Sequence, residues 1–316
     1  DEKKRLLGTI TDGDIRRGLI KKIEIDQSVN KIMNKKPIYI SHHISRNDAL
    51  NIMKDKDILH LPITDKEKKI IDIYFANEST AIQMKNTVLL MAGGFGKRLF
   101  PITAKIPKPM IKIGGKPILE RIIENFKGYG FVNFEISTHY LPSKIKNYFK
   151  DGKKWNINIS YINEDQPLGT AGSIALIKNK DSLPIILANG DIITDLNFEE
   201  LLKFHNKHNA EITLVIKEYN VQVPYGVVET NNLSIKKIHE KPNQKFHINS
   251  GVYVINRSII KNLKKNKALS MSDLINKSIK LRKKIMAFPI HEQWIDVGEY
   301  AQLDKARKNY LNSNDK

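Results

Sequence analysis

From Thr87 onward the sequence keeps one rhythm, and that rhythm leaves few folds open. Short apolar runs rich in β-branched residues alternate with stretches of helical periodicity, with polar turn residues between them. The pattern predicts strands at Thr87–Met91, Asn133–Thr138, Ile157–Tyr161, Ile185–Ala188 and Ile212–Val215. It predicts helices at Ile118–Phe126, Pro142–Phe149, Thr170–Leu176 and Phe198–His205. A strand reached again through a helix comes back parallel to the first. The expectation is therefore an α/β domain with a mostly parallel, Rossmann-like sheet and helices on both faces. Ligands of such sheets sit beyond the carboxyl ends of the strands. Chemistry is to be sought in the loops that leave those ends.

The first such loop, "MAGGFGKRLFPITAKIPKPM", runs from Met91 to Met110. Glycines let backbone amides approach a ligand closely, so a strand followed by a glycine loop can cradle phosphate. Two known cradles do not fit. The P-loop needs Ser or Thr after Gly-Lys, but Arg98 follows Lys97. The dinucleotide fingerprint needs a third glycine where Leu99 stands. By itself the loop is equally well explained as a tight turn.

Its continuation is more specific. The stretch reads GG-x-G-x-R-L-x-P-x-T-x(3)-P-K-P-M, and it resembles the signature of the sugar-1-phosphate nucleotidylyltransferases. The resemblance extends to about Tyr310 through "PLGTAG" (Pro167–Gly172), "NGD" (Asn189–Asp191), "VPYGVVE" (Val223–Glu229), "EKP" (Glu240–Pro242), "NSGVYV" (Asn249–Val254) and "WIDVG" (Trp294–Gly298). It implies transfer of a nucleoside monophosphate from a triphosphate to a sugar 1-phosphate, with release of pyrophosphate. The attacking phosphate oxygen is already ionised, so the protein must screen two polyanions and hold them in line. Ala92, Gly93, Gly94 and Gly96 would then offer the triphosphate their amides. Arg98 would grip the departing pyrophosphate. Lys108, between two prolines that restrict its backbone, would bring charge to the sugar phosphate and the α-phosphorus.

Asp191 ends an apolar strand, and Asp296 lies far along the chain in "WIDVG". Either could cap a helix or a turn. In the positions of the family they read as a pair of Mg²⁺ ligands, because Mg²⁺ takes one or two carboxylates together with substrate phosphates and water. Resemblance also implies sugar or sugar-phosphate contacts at Gly226, Glu240, Lys241, Asn249 and Gly251. For Glu240-Lys241 the alternative is an exposed pair before a turn.

Glu164, Gly169 and Thr170 are expected to line the nucleoside pocket. Glu164 stands where family members that use uracil or thymine often place glutamine. A carboxylate only accepts, and guanine presents two N–H donors on one edge, so GTP is the expected donor. The alternative is a Glu164 that faces solvent or caps a loop. His139, His205, His208, His239, His247 and His291 form no metal-ligand spacing and read as surface or packing residues.

Residues 1–82 differ in texture, with short elements and few glycines. "LLGTITDGDIRRGLI" reads as strand, turn and helix. Helices are expected in "SVNKIMN" and from Ser45, and strands at Ile58–Ile63 and Ile70–Phe75. Gly8, Thr11 and Asp14 fit the G-x-x-T-x-x-D pattern of CBS domains, which this part resembles as a pair whose first repeat is truncated. That implies a regulatory nucleotide, with Thr11 on a phosphate and Asp14 on a ribose. The competing reading makes Asp14 part of a helix cap. In the second repeat Asp72 replaces an expected glycine. A polar link, "ANESTAIQMKN", leads to the catalytic part at 87–311. The combination resembles the guanylyltransferases that act on glucosamine 1-phosphate in bacterial legionaminic acid synthesis. Mannose 1-phosphate with GTP, or another sugar with UTP, dTTP or CTP, is the alternative, and a catalytically silent nucleotide sensor is the non-enzyme alternative.

Length and composition fit this division. The chain has 316 residues, enough for about two domains. It has no cysteine, which removes disulfides and thiolate metal sites and fits a reducing cytosol. No apolar run is long enough for a membrane span, so no membrane insertion is expected. The opening residues read as the middle of a domain, so a missing natural N-terminus is expected. Net charge is +19, but only nine of the 53 basic residues are arginine and the lysines are scattered. A solvated lysine surface is the expectation, not a nucleic-acid footprint. A homo-oligomer is also expected.

Overall fold

The computed structural model describes residues 1, 3–41, 46–75, 83–179 and 181–314. The chain forms two compact units, Asp1–Ile82 and Gln83–Lys316. Among the described residues, no helix is long and apolar enough to cross a membrane.

In the first unit, helix α1 (Asp12–Ile20) starts at a capping box. The Thr11 hydroxyl donates to Asp14 Oδ2 at 2.7 Å, and the Thr11 amide reaches the same oxygen at 2.9 Å. Arg17 holds the other oxygen at 2.6 Å. Burial alone would raise the Asp14 pKa, but these hydrogen bonds outweigh it and hold it below the usual carboxylate value. Thr11 and Asp14 therefore serve the cap, which is the second of the two readings above. Helix α2 (Arg46–Asp55) packs Ala49 and Met53 on Leu61 of β1 (His60–Thr64), which pairs antiparallel with β2 (Ile70–Phe75).

Two expectations need correction. "SVNKIMN" makes one 3₁₀ turn, Val29–Lys31, because Ser28 caps it locally and the backbone turns back to pair Asn34 with Thr9. The segment before α1 makes only isolated bridges at Arg5 and Thr9. The helix start expected at Ser45 and residues 76–82 of the polar link lie outside the described residues.

The second unit is built on β3 (Met84–Met91), where Val88 and Leu90 point to one face of the sheet and Leu89 to the other. Alternation on a strand buried from both sides is what splits these residues between two cores. A short hairpin, β4 (Lys112–Ile113) and β5 (Lys116–Pro117), leads into α3 (Ile118–Gly128). Then follow β6 (Phe131–Thr138), α4 (Pro142–Phe149), β7 (Asn158–Asn163) and α5 (Gly169–Gly172). The expected helix Thr170–Leu176 is thus one α-turn extended by a 3₁₀ turn, Ser173–Leu176.

After these come β8 (Ile185–Asn189), β9 (Ile192–Thr194), α6 (Phe198–Lys207), β10 (Ile212–Gln222), β11 (Val227–Asn231) and β12 (Ser234–His239). The chain ends with β13 (Asn243–Ile255), α7 (Arg257–Ile260), α8 (Met271–Lys280), β14 (Ile285–Ile290), β15 (Trp294–Asp296) and α9 (Tyr300–Asn314).

The main sheet has the order β14-β10-β13-β8-β3-β6-β7. All neighbouring pairs are parallel except those of β13, which runs against β8 and β10. The expected mostly parallel α/β sheet with helices is what the structure has. Beyond Lys217, where its pairing with β14 ends, β10 leaves the sheet with β13 as a ribbon, and the hairpin β11–β12 that follows stands in solvent with Leu233 fully exposed. The expected strand Ile212–Val215 covers only the buried part of β10, because the outer half has no buried face to impose an apolar alternation.

Candidate active site

The glycine loop leaves the carboxyl end of β3. Gly96 takes a left-handed conformation (φ 64°) and starts the 3₁₀ turn Lys97–Leu99, which buries Leu99. A Cβ on Gly96 would stand 2.8 Å from Thr103 Cγ2, and the Thr103 hydroxyl donates to the Gly96 carbonyl at 3.0 Å. The loop is thereby folded back onto "PKPM", where a second turn, Lys108–Met110, buries Lys108 and Pro109. Beside Gly94 there is open space: among the described residues, no atom other than those of its chain neighbours lies within 4 Å of a Cβ built there. Gly93 is tighter, facing His139 and the Glu164 carboxylate at 3.3 and 3.5 Å. Ala92 is different from its expected role: its amide already donates to the Ser137 carbonyl at 2.9 Å.

Asp191 lies in the turn between β8 and β9. Gly190 donates to the Met91 carbonyl at 2.8 Å, and a Cβ there would press on that oxygen at 2.7 Å, so the turn seats directly on the end of β3. Strand β9 pairs with β15 in a register that sets Asp296 opposite Ile192, and the Val297 amide donates to the Asp191 carbonyl at 3.0 Å. Two aspartates distant in sequence become neighbours by this small antiparallel pair.

Lys108 lies between them. Its ammonium donates to Asp191 Oδ2 and is 3.6 Å from Asp296 Oδ1. Among the described residues, Asp191 Oδ1 and Asp296 Oδ1 are buried and have no hydrogen-bond partner. Buried carboxylate oxygens without a donor are costly, and a cation would satisfy them. Burial and the Asp191 charge raise the pKa of Asp296, against the pull of Lys108 and Arg98. The described residues hold no cluster of three or more metal-ligating groups. Two carboxylates with spare oxygens nevertheless fit Mg²⁺, which leaves the other positions to phosphates and water. Arg98 rests at the rim, ion-paired with Glu299 at 3.1 Å, largely exposed and close enough to Gly298 to crowd a Cβ there.

Glu164 is buried, not turned to solvent. It accepts from the Ser137 hydroxyl on one oxygen and from the Leu168 amide at 3.0 Å on the other. Each oxygen keeps a second lone pair. His139, read from sequence as a surface or packing residue, is bonded through Nδ1 to the Glu164 carbonyl at 2.8 Å and packs edge-on against Phe95. The side chain of Phe95, within the glycine loop, was also not singled out by sequence. Gly169 is left-handed (φ 72°), but what approaches it is the Leu269 carbonyl, 2.7 Å from a Cβ, and not open space for a base. Thr170 accepts from the Met271 amide at 2.8 Å at the start of α8.

The sugar candidates fall in two groups. Asn249 and Gly251 lie where β13 enters the sheet. Asn249 Oδ1 accepts from the Gly251 amide at 2.9 Å, and Gly251 (φ 76°) abuts the Asn189 side chain so closely that a Cβ would overlap it. Gly226, Glu240 and Lys241 lie on the exposed arm, where Glu240 Oε2 is 3.1 Å from a Cβ at Gly226.

Two anchors went unnoticed in the sequence. Lys217 of β10 donates to the carbonyls of His291 and Glu292 at 3.0 and 2.9 Å, and burial lowers its pKa against the opposing charges of Glu292 and Glu218. The Trp294 indole donates to the Ser250 carbonyl at 2.9 Å. Together they fix the strand that carries Asp296. A lone lysine inside "ITLVIKEY" was the available signal, since burying an ammonium demands acceptors.

Residues 87–313 match the nucleotidyl transferase family model, and residues 29–74 match the CBS domain model. The chain is 31% identical over 233 residues to a mannose-1-phosphate guanyltransferase of Yarrowia lipolytica, covering 71% of this chain and 64% of that protein. It is 31% identical over 220 residues to the enzyme of that name from Schizosaccharomyces pombe, covering 67% and 60%. It thus spans a little under two thirds of the length of these relatives. Among solved structures, HddC from Yersinia pseudotuberculosis is 27% identical with a TM-score of 0.57, over 71% of this chain and 99% of that one. A structure of HddC complexed with GMP-PN has a TM-score of 0.56 and 26% identity, over 71% and 99%.

Proposed function

This chain belongs to the nucleotidyl transferase family, and on that premise we propose that it transfers GMP from GTP to a sugar 1-phosphate, giving a GDP-sugar and pyrophosphate. The observation that carries this reading is the set Lys108, Asp191 and Asp296, in which the largely buried lysine meets both carboxylates and one buried oxygen of each aspartate has no hydrogen-bond partner among the described residues. Asp191 and Asp296 would hold Mg²⁺, which when bound supplies the charge that offsets the build-up at the α-phosphoryl group. The open side of the glycine loop at Gly94 would receive the triphosphate, and the exposed Arg98 is free to leave Glu299 for the departing pyrophosphate. Burial of Lys108 and of one oxygen of each aspartate strengthens the charge interactions made there relative to water.

Mannose 1-phosphate is the first sugar to test. The mannose-1-phosphate guanyltransferases among its relatives support it, whereas nothing supports the narrower expectation of glucosamine 1-phosphate in legionaminic acid synthesis. Guanine selection is assigned to Glu164, whose buried carboxylate faces Gly93 and retains acceptor capacity for the two N–H groups of guanine. A pyrophosphate-release screen of nucleoside triphosphates against mannose, glucosamine and glucose 1-phosphates tests this reading. The expected result is Mg²⁺-dependent release with GTP and mannose 1-phosphate, and a narrowed margin of GTP over UTP in Glu164→Gln. Release with no triphosphate would leave the nucleotide-sensor reading in its place.

A further inference from the structure

Lys108 has been given two tasks that it cannot perform at once. Sequence assigns its ammonium to phosphate, yet the structure sets it on Asp191 and beside Asp296, on the carboxylates that would hold a divalent cation. An ammonium and a metal ion seek the same carboxylate lone pairs. The backbone of Lys108 is restrained by Pro107 and Pro109, so only the four-carbon stem can move. On the other side of that stem is the phosphate loop: a Cβ on Gly96 would lie 3.1 Å from Lys108 Cβ, and Gly94 beyond it faces open space.

We propose that Lys108 is a placeholder cation: it holds Asp191 and Asp296 together until a divalent metal replaces it, and the displaced ammonium then turns to the phosphate of the sugar substrate. This inference rests on the proposed function and adds a coupling to it. In the free protein the lysine screens two neighbouring, partly buried carboxylates that would otherwise repel each other. Metal entry then creates the second binding group by releasing the lysine. Metal and sugar phosphate therefore strengthen each other's binding, and by linkage the effect is reciprocal. A lysine with a purely structural role would predict the opposite sign, because its removal would loosen the carboxylate pair and weaken metal binding.

The test is Mn²⁺ binding to the full chain without nucleotide, followed by calorimetry and by electron paramagnetic resonance of free Mn²⁺. If the ammonium occupies the pair nine-tenths of the time, Lys108→Met should bind Mn²⁺ about tenfold more tightly than the wild type. Lys108→Arg, which keeps a cation, should not. Mannose 1-phosphate should bind the wild type more tightly with Mn²⁺ than without, and Lys108→Met should lose that gain. Unchanged or weaker Mn²⁺ binding in a folded Lys108→Met overturns the proposal. Should that variant fail to fold, wild-type protein with ¹⁵N-labelled lysine gives the answer: one ammonium resonance should move on addition of Mg²⁺, and a spectrum without change overturns the proposal. A protein that releases pyrophosphate but shows neither effect keeps its proposed function and loses this inference. One that shows the tighter Mn²⁺ binding and releases none keeps the inference and loses the function.

Discussion

Among the described residues, Asp191 and Asp296 each leave one buried oxygen without a hydrogen-bond donor. Removing the negative charge while keeping the shape should therefore affect chemistry and not folding. Asp191→Asn and Asp296→Asn are expected to melt close to the wild type but lose most pyrophosphate release. A loss of about 10²–10³ in kcat is what one preorganised charge at a reacting centre is worth. Full activity in either variant would show that the pair does not hold the metal. His205 teaches the reverse lesson. It is buried, with Nδ1 2.8 Å from Thr213 Oγ1 and Nε2 3.1 Å from Asn256 Oδ1. Burial lowers its pKa against the pull of Asn256. The folded ring is neutral where the unfolded ring takes up a proton, below about pH 6.5. Its contribution to stability is complete above that pH and declines as the pH falls through it toward the folded pKa. Urea midpoints at pH 7.5 and 5.5 should differ more for the wild type than for His205→Asn. Equal differences would refute the assignment.

The site depends on elements that have little internal stability. Strands β9 and β15 have three residues each, so a ladder this short cannot hold Asp296 beside Asp191 unaided. The Lys217 and Trp294 anchors supply what the ladder lacks, by tying the approach to β15 to the much longer β10 and β13. Lys217→Met keeps the stem and removes the donor. It should weaken Mn²⁺ binding by about 10- to 100-fold, the usual effect of losing a group that orients a metal ligand. The glycine-loop end of the site should be less affected, so KM for GTP should change less than metal affinity. An unchanged Mn²⁺ affinity in a folded variant would show that β15 is held by other contacts.

Over the whole chain, every residue of the proposed chemistry lies in Gln83–Lys316, which is compact by itself. Its core is the two-sided packing about β3, with Phe126, Phe131 and Phe198 clustered on one face and Leu89, Leu187 and Tyr253 on the other. A fragment of residues 83–316 is expected to unfold cooperatively and to release pyrophosphate from GTP and mannose 1-phosphate. Loss of cooperative unfolding would show that the first unit is part of one core. The capping box at Thr11 and Asp14 gives Asp14 a structural role in the first unit, with both of its oxygens engaged.

The α/β rhythm and the glycine loop were legible because they follow from local rules, whereas Arg98, Lys108, Asp191 and Asp296 were singled out by motifs that resemble a family's. Strand alternation, turn glycines and a motif in fixed order need no tertiary information. Helix capping at Asp14 and a ribose contact there use the same residue types, so sequence left them equal, and the hydrogen bonds of Thr11 and Arg17 show the cap. Gly169 and Thr170 looked like nucleoside contacts because a glycine signals close approach without saying of what, and here it is the Leu269 backbone. The outer ribbon of β10 and β13 was invisible, as solvent on both faces beyond Lys217 leaves no pattern. The position of Lys108 on both aspartates, and of Lys217 behind them, required the register of β9 against β15 and of β10 beside β14. Residue type and spacing determine which groups can do the chemistry; which charge rests on which is decided by long-range pairing, because a side chain finds its partner only after the sheet has brought distant segments together.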